Sequence, residues 1–363
     1  MTGVQTCALP IFSIFVSLAV CEYYVQEGVL YVKDEPTVSQ AEIAELKDLF
    51  NKAVVDDKAF VIGKSAFEDC EKLTEVELSD SIECIKQRAF YNCRNLQKIK
   101  FGSGLNLIEA DAFYGSEVNE LNLSDSIKVI ESGCFSEFSV LQSIIIPNSV
   151  DSLGSKVFMN CKNLESVTFG SGMTKVEEYS FMGCTKLKTI VFGKSISSIF
   201  DYAFSNTSIS DVFEFPNNVI NIGNHSFENT NISALVLHQD IQQIGEYAFS
   251  SKSLSCVFYK GKTLPPKVSQ NAFEGTKVIK VMTYLNYTDN NFGKFKVFAG
   301  DDLQTCFEFK GENAKKRLII ISVVSFFFVV LIFVMIIYRK KTINKDQGVS
   351  DHYEEILKYS EIQ

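Results

Sequence analysis

The chain has 363 residues, 46% of them apolar and 12% aromatic, with 31 Phe and no Trp, which is ample material for a large core. Its net charge of −9 lacks the basic excess that an electrostatic nucleic-acid binder needs. Only three His occur, His225, His238 and His352, too scattered for a His-based catalytic or metal cluster.

The first segments read as processing sequence rather than fold. Met1 to Ile11 (MTGVQTCALPI) looks like a translated sequencing-library adapter fused to a truncated gene, and it carries no functional weight. Residues 12–21 read as a truncated signal peptide. Phe12 to Val20 is uncharged and apolar, Ala19-Val20-Cys21 resembles a small-residue cleavage site, and the usual basic lead is missing. Residues 22–59, with helix-like spacing in AEIAELKDLFNKAVV, are expected to cap the open end of a repeat array that begins at residue 60.

From residue 60 to 281 one pattern recurs, and internal repetition outranks any single motif. Phe67, Phe90, Phe113, Phe135, Phe158, Phe181, Phe204, Phe227, Phe249 and Phe273 recur every 22–24 residues. Leu73, Val76 and Leu78 form an L-x-x-V-x-L unit whose alternate residues point to one face of a short strand. Leu96, Ile99 and Phe101 repeat it, as do Leu164, Val167 and Phe169. A polar corner comes after the strand, such as the GSG pieces at Gly102–Gly104 and Gly170–Gly172, which read as turns. A second apolar pair comes next, such as Ile82 and Ile85, before an Ala-Phe turn sends the chain into the next coil. One coil cannot bury its inward side chains alone, but stacked coils form like-on-like ladders with parallel strands about 4.8 Å apart. The expected fold is a solenoid of about ten coils, one short parallel strand in each, on the order of 50 Å long.

Ile62, Gly63, Ala66, Phe67, Cys70 and Leu73 spell IG-x-x-AF-x-x-C-x-x-L. That motif and its continuation resemble the BspA-like subclass of leucine-rich repeats over about residues 60–281. Several copies depart from it, among them those with Ser116, Thr207, Thr230 and Lys252 in place of the Cys. The seventh copy carries an extra residue around Phe213 to Phe215, which reads as a bulge.

Residues 282–317 are expected to form a C-terminal cap and stalk. Leu318 to Tyr338 then runs 21 residues without a charge, roughly 30 Å of helix and enough to cross a bilayer core. Lys315-Lys316-Arg317 and Arg339-Lys340-Lys341 flank it evenly, so flanking charge gives no orientation. The signal-like segment places the long N-terminal part outside, making a single-pass plasma-membrane protein. Five N-x-S/T sequons on that side, at Asn122, Asn206, Asn224, Asn231 and Asn286, are candidate glycosylation sites. The tail, residues 339–363, holds Tyr353-x-x-Ile356 and Tyr359-x-x-Ile362, which resemble sorting signals read by clathrin adaptors. An inert, solvated tail is the alternative.

Among candidate sites, Cys70, Cys93, Cys161 and Cys184 share one repeat slot, three residues after Phe, and are expected to be buried free thiols. Cys256 and Cys306 are better disulfide candidates. No C-x-x-C, G-x-S-x-G, H-E-x-x-H, P-loop or G-x-G-x-x-G occurs, so no metal, cofactor or enzyme activity is expected. Recognition is what the array offers, because outward strand positions vary while core positions repeat. At one end Glu75 and Glu77 face Lys98 and Lys100 and are expected to pair with them. Further on, Ile145, Thr168, Thr189, Val191, Val236 and Phe258 make an uncharged strip, the expected contact surface for protein or glycan ligands on other cells or matrix. With a C-terminal membrane helix the chain resembles the trichomonad surface type, which implies adhesion to host cells, matrix or other microbes. An endocytic or signalling receptor and a structural coat protein are the alternatives.

Overall fold

A computed structural model describes residues 23–276, 280–283, 288–292 and 294–299, and these form a β-solenoid. Eleven two-residue strands, from Thr37–Val38 to Lys267–Val268, mark about eleven turns. Each turn has three walls. The L-x-x-V-x-L unit supplies a front strand, as in Glu75–Leu78 and Ser166–Thr168, and the second apolar pair supplies a side strand, as in Cys84–Ile85. Successive front strands pair in parallel, without slip in the middle sheet, as in Ser143↔Ser166↔Thr189.

The Ala-Phe turn makes the third wall. It is no strand, yet its backbone bonds to the next coil: Phe67 N–H donates to Ala89 O at 2.7 Å and Phe158 N–H to Ser180 O at 2.8 Å. That arrangement uses left-handed residues two before and two after Phe, such as Arg88 and Asn92 around Phe90, and Lys156 and Asn160 around Phe158. The later slot holds mostly Asn, Asp or Gly, the types that tolerate that conformation. Inside the three walls, the ten Phe rings stack into one column with centroids 4.9–5.7 Å apart.

The N-terminal segment departs from the expected helical cap. Gln40–Leu46 is helical, but Lys52–Val55, which continues the helical spacing in sequence, is a front strand paired with Glu75–Leu78. Alternation wins there: Ala53 and Val55 point into the core while Lys52 and Val54 point out. The Tyr23–Gln26 and Val29–Val32 hairpin closes this end. At the other end Phe295–Ala299 adds a rung beside Lys280–Thr283. The bulge expected near Phe213 sits just before it, at Asp211/Val212.

The front wall is not continuous. One sheet ends at Lys98–Lys100, a second spans Ser143–Ile145 to Thr189–Val191, and a third begins at Ser210–Glu214. The signal-like segment 12–21, the Leu318–Tyr338 run and the tail motifs lie outside the described residues. Among the described residues, no helix is long and apolar enough to cross a membrane.

Candidate functional site

The middle front sheet carries the exposed apolar positions. Ile144 and Val167 point inward and are buried, while their neighbours Ile145 and Val191 point out, 69% and 51% exposed. Strand register sets Ile145, Thr168 and Val191 in one row across three coils, and Ser143, Ser166 and Thr189 in the row beside it. An apolar row therefore runs alongside a row of hydroxyls. Ile145, Thr168, Thr189 and Val191 come together as expected.

Val236 and Phe258 do not join them. They are 1% and 3% exposed, and their strand neighbours Leu235, Leu237 and Val257 are buried too. The reason is in the residues: Ala234-Leu235-Val236-Leu237 and Cys256-Val257-Phe258-Tyr259 are continuous apolar runs. Such runs mark strands covered on both faces, whereas alternation marks a strand with one face in water. The open strip thus runs from Ile145 to Val191 and stops short of Val236 and Phe258.

At the charged end strand register sets Glu75 beside Lys98 and Glu77 beside Lys100 as expected, but the close ion pairs go elsewhere. Lys52 Nζ lies 3.3 Å from Glu75 Oε1 and 2.5 Å from Glu77 Oε1. The added front strand supplies that ammonium, in register with Glu75. Its hydrogen bond to Glu77 is the main cause holding the Lys52 ammonium above its ordinary pKa. Lys98 and Lys100 are exposed and, among the described residues, have no ion-pair partner. A cavity of about 400 Å³ opens here, between Glu75, Glu77, Lys98, Lys100 and the coil at Asn119–Asn122.

The cysteine slot proves to be a donor slot. Cys93, Cys161 and Cys184 Sγ donate to Phe67, Phe135 and Phe158 O of the preceding coil, at 3.0, 3.2 and 3.1 Å. Ser116 Oγ makes the same bond to Phe90 O at 2.8 Å, which is why a hydroxyl can replace the thiol. Cys70, Cys93, Cys161 and Cys184 are free and buried as expected, joined by Cys84 and Cys134. Burial pushes the Cys70 thiol up to about 12 and holds Cys93 and Cys161 well above the usual value. Thiolate is then scarce at neutral pH, so iodoacetamide should leave these thiols unlabelled in the native protein and label all of them in denaturant. Labelling without denaturant, followed by peptide mass mapping, would contradict the buried ladder. Cys256 is disulfide-bonded, and Cys306 lies outside the described residues.

Of the sequons, Asn122 and Asn231 are exposed. Asn206 is exposed too, and its Oδ1 accepts from Asn229 Nδ2 at 3.1 Å. Asn224 is half-buried, its Nδ2 donating to Asp201 Oδ2 at 3.0 Å and its Oδ1 accepting from Glu246 N–H at 2.8 Å. Asn286 lies outside the described residues. Among the described residues, no three His, Cys, Asp or Glu side chains gather as a metal site.

A family model described as BspA type leucine rich repeat region, in six copies, matches residues 61–188 and 174–295. No curated protein matches the chain. Among solved structures, the chain is similar to a leucine-rich repeat protein from Bacteroides ovatus, at 18% identity and a TM-score of 0.48, over 74% of this chain and 79% of that one. It is also similar to the pneumococcal vaccine antigen PcpA, at 19% identity and a TM-score of 0.47, over 69% and 80%. Similarity to a T. pallidum leucine-rich repeat protein is 23% identity and a TM-score of 0.41, over 51% and 85%.

Proposed function

The chain belongs to the BspA-type leucine-rich-repeat family, and from that premise we propose that it is a cell-surface recognition protein that attaches to ligands on other cells or matrix. The observation that carries this reading is the row of exposed Ile145, half-buried Thr168 and exposed Val191 on a three-stranded sheet. Other exposed apolar side chains, such as Phe60, Phe200 and Leu264, stand singly, whereas Ile145 and Val191 share one row on one sheet, and such a row standing in water calls for a partner surface. Parallel strands hold them on a flat, rigid platform. The neighbouring hydroxyls of Ser143, Ser166 and Thr189 supply hydrogen bonds that fix orientation while the aliphatic row supplies buried area. The signal-like segment and the uncharged Leu318–Tyr338 run support display of this face outside a cell, on a single membrane anchor.

The test uses cells that display the full chain, with attachment measured on host-cell and matrix-coated surfaces. Ile145→Lys with Val191→Lys should lower attachment by at least about tenfold, the loss expected when central interface residues are replaced by charge. Both positions are exposed, so stability should stay within about 0.5 kcal/mol of the parent. Attachment unchanged by the double substitution would sink the reading.

A further inference from the structure

We propose that the front-face cavity beside Lys98 and Lys100 is a second binding site, and that it takes an acidic sugar residue. The cavity, about 400 Å³, lies in the lower part of the size range of small-ligand sites, about 300–1,000 Å³.

The repeat is broken at this place. Lys98–Lys100 is the last strand of its sheet, and the following coil supplies only Asn119 N–H to Gln97 O, at 3.1 Å, before leaving the ladder. The front of that coil, Asn119 to Asn122, therefore borders an opening instead of forming the next rung. Two other walls of the same coil keep their inter-coil bonds, as at Glu109 N–H to Ile85 O and Phe113 N–H to Cys134 O. The departure is confined to the face that recognises ligands in such arrays.

Charge then selects the ligand. Lys52 engages both Glu75 and Glu77 from the outer side of the cavity. Among the described residues Lys98 and Lys100 make no ion pair, although the Lys100 charge is felt by the Asp80 carboxylate; they stand two residues apart on one strand and on the same face, about 7 Å from each other along the backbone. A carboxylate placed between them meets two ammonium groups. Gln97, Asn119, Asn122 and Glu120 line the same cavity, as do Glu75 and Glu77, whose charge Lys52 offsets. They offer donors and acceptors spread around a ring-sized space, which suits hydroxyl groups. A neutral sugar would leave both ammonium groups unused. A bare metal cation would be repelled by them, and a polyanion would be repelled by Glu120. A single sugar ring bearing one carboxylate can set its charge against the two ammonium groups and its hydroxyls against the remaining polar lining.

The test titrates the full chain, produced without N-glycans so that Asn122 stays bare, with glucuronate, glucose and acetate. Glucose keeps the ring and hydroxyls without the charge, and acetate keeps the charge without the ring. Glucuronate should bind with a Kd of about 1 mM, glucose and acetate at least about tenfold more weakly. Lys98→Gln with Lys100→Gln should weaken glucuronate at least about tenfold with an unchanged thermal midpoint, since both side chains are exposed. Glucose binding as tightly as glucuronate overturns the proposal, and so does acetate binding as tightly. Absence of glucuronate binding overturns it, as does binding indifferent to the Lys98→Gln and Lys100→Gln changes. Ile145→Lys with Val191→Lys should leave glucuronate binding intact, because those residues belong to a different sheet; the two sites can thus fail separately.

Discussion

Phe158→Ala is expected to remove about 3–5 kcal/mol of stability, enough to unfold a marginal domain at physiological temperature. Phe158 is fully buried, with the rings of Phe135 and Phe181 stacked on either side at 5.5 and 5.4 Å. Its carbonyl accepts from the Cys184 thiol and its N–H donates to Ser180 O in the following coil, while Val157 O accepts from Phe135 N–H of the preceding coil, so the backbone around the missing ring is held on both sides. The two neighbouring coils cannot close onto the void, because bonds on the walls that flank it pin their spacing. Position matters as well as burial. In a stacked array each coil contacts only its neighbours, and a defect near the middle uncouples two halves that would otherwise melt together. Phe273, at the far end of the column, should cost less. Denaturant unfolding followed by circular dichroism checks both, with Phe158→Leu, a smaller change of about 1–1.5 kcal/mol, as the conservative control. A loss below about 1 kcal/mol for Phe158→Ala would mean that the column is not a packed core.

The repeat, its period and its core are legible in the residues because they depend on positions that recur. Phe every 22–24 residues, and L-x-x-V-x-L before each corner, leave one consistent packing in which the same side chain meets itself a coil away. Lys52–Val55 is harder to read. Helical and alternating patterns overlap in a stretch as short as KAVV, and pairing with Glu75–Leu78 decides between them. The same ambiguity hides the pairing at the charged end, since this strand brings the ammonium that occupies Glu75 and Glu77. The recognition strip is half legible. Ile145 and Val191 sit among alternating residues and do face solvent, whereas Val236 and Phe258 sit in unbroken apolar runs and do not. Equivalent repeat position does not ensure equivalent exposure, because local composition overrides it. The cavity has only a faint signature, the Ser116 copy with its 22-residue spacing from Phe113 to Phe135, which other copies share without opening. It arises where one coil fails to add its rung, a property of the backbone that the spacing around Leu121 does not announce.

Gly170→Ala should cost about 1–3 kcal/mol or more through overpacking, and it should reach the binding face as well as the core. A methyl group on Gly170 would lie 2.3 Å from Pro147 O, 2.5 Å from its carbonyl carbon and 2.7 Å from Asn148 N. All three are backbone atoms of the preceding coil, so no side chain can rotate out of the way. The column continues upward, because a methyl on Gly193 would lie 2.1 Å from Gly170 O. These glycines are corner residues by position, but close approach of one coil to the next is what demands them; neither has a left-handed φ. Relief requires the coils at Pro147 and Gly170 to separate at the corner, two residues beyond Ile145 and Thr168 on the front strands. Separation there would shear the row that Ile145, Thr168 and Val191 share. The expected result is therefore a joint one: a lower unfolding midpoint, and attachment reduced even at temperatures where the variant is fully folded. Gly275→Ala supplies the contrast. That glycine has a φ of +78° and its nearest obstacle is the Ser250 hydroxyl at 3.0 Å, so its cost is conformational, about 1 kcal/mol, and it lies far along the chain from the strip. A stability loss in Gly170→Ala no larger than in Gly275→Ala would show that inter-coil contact at this corner is looser than the geometry states. A full loss of stability with attachment untouched in the folded fraction would instead separate the corner from the recognition row.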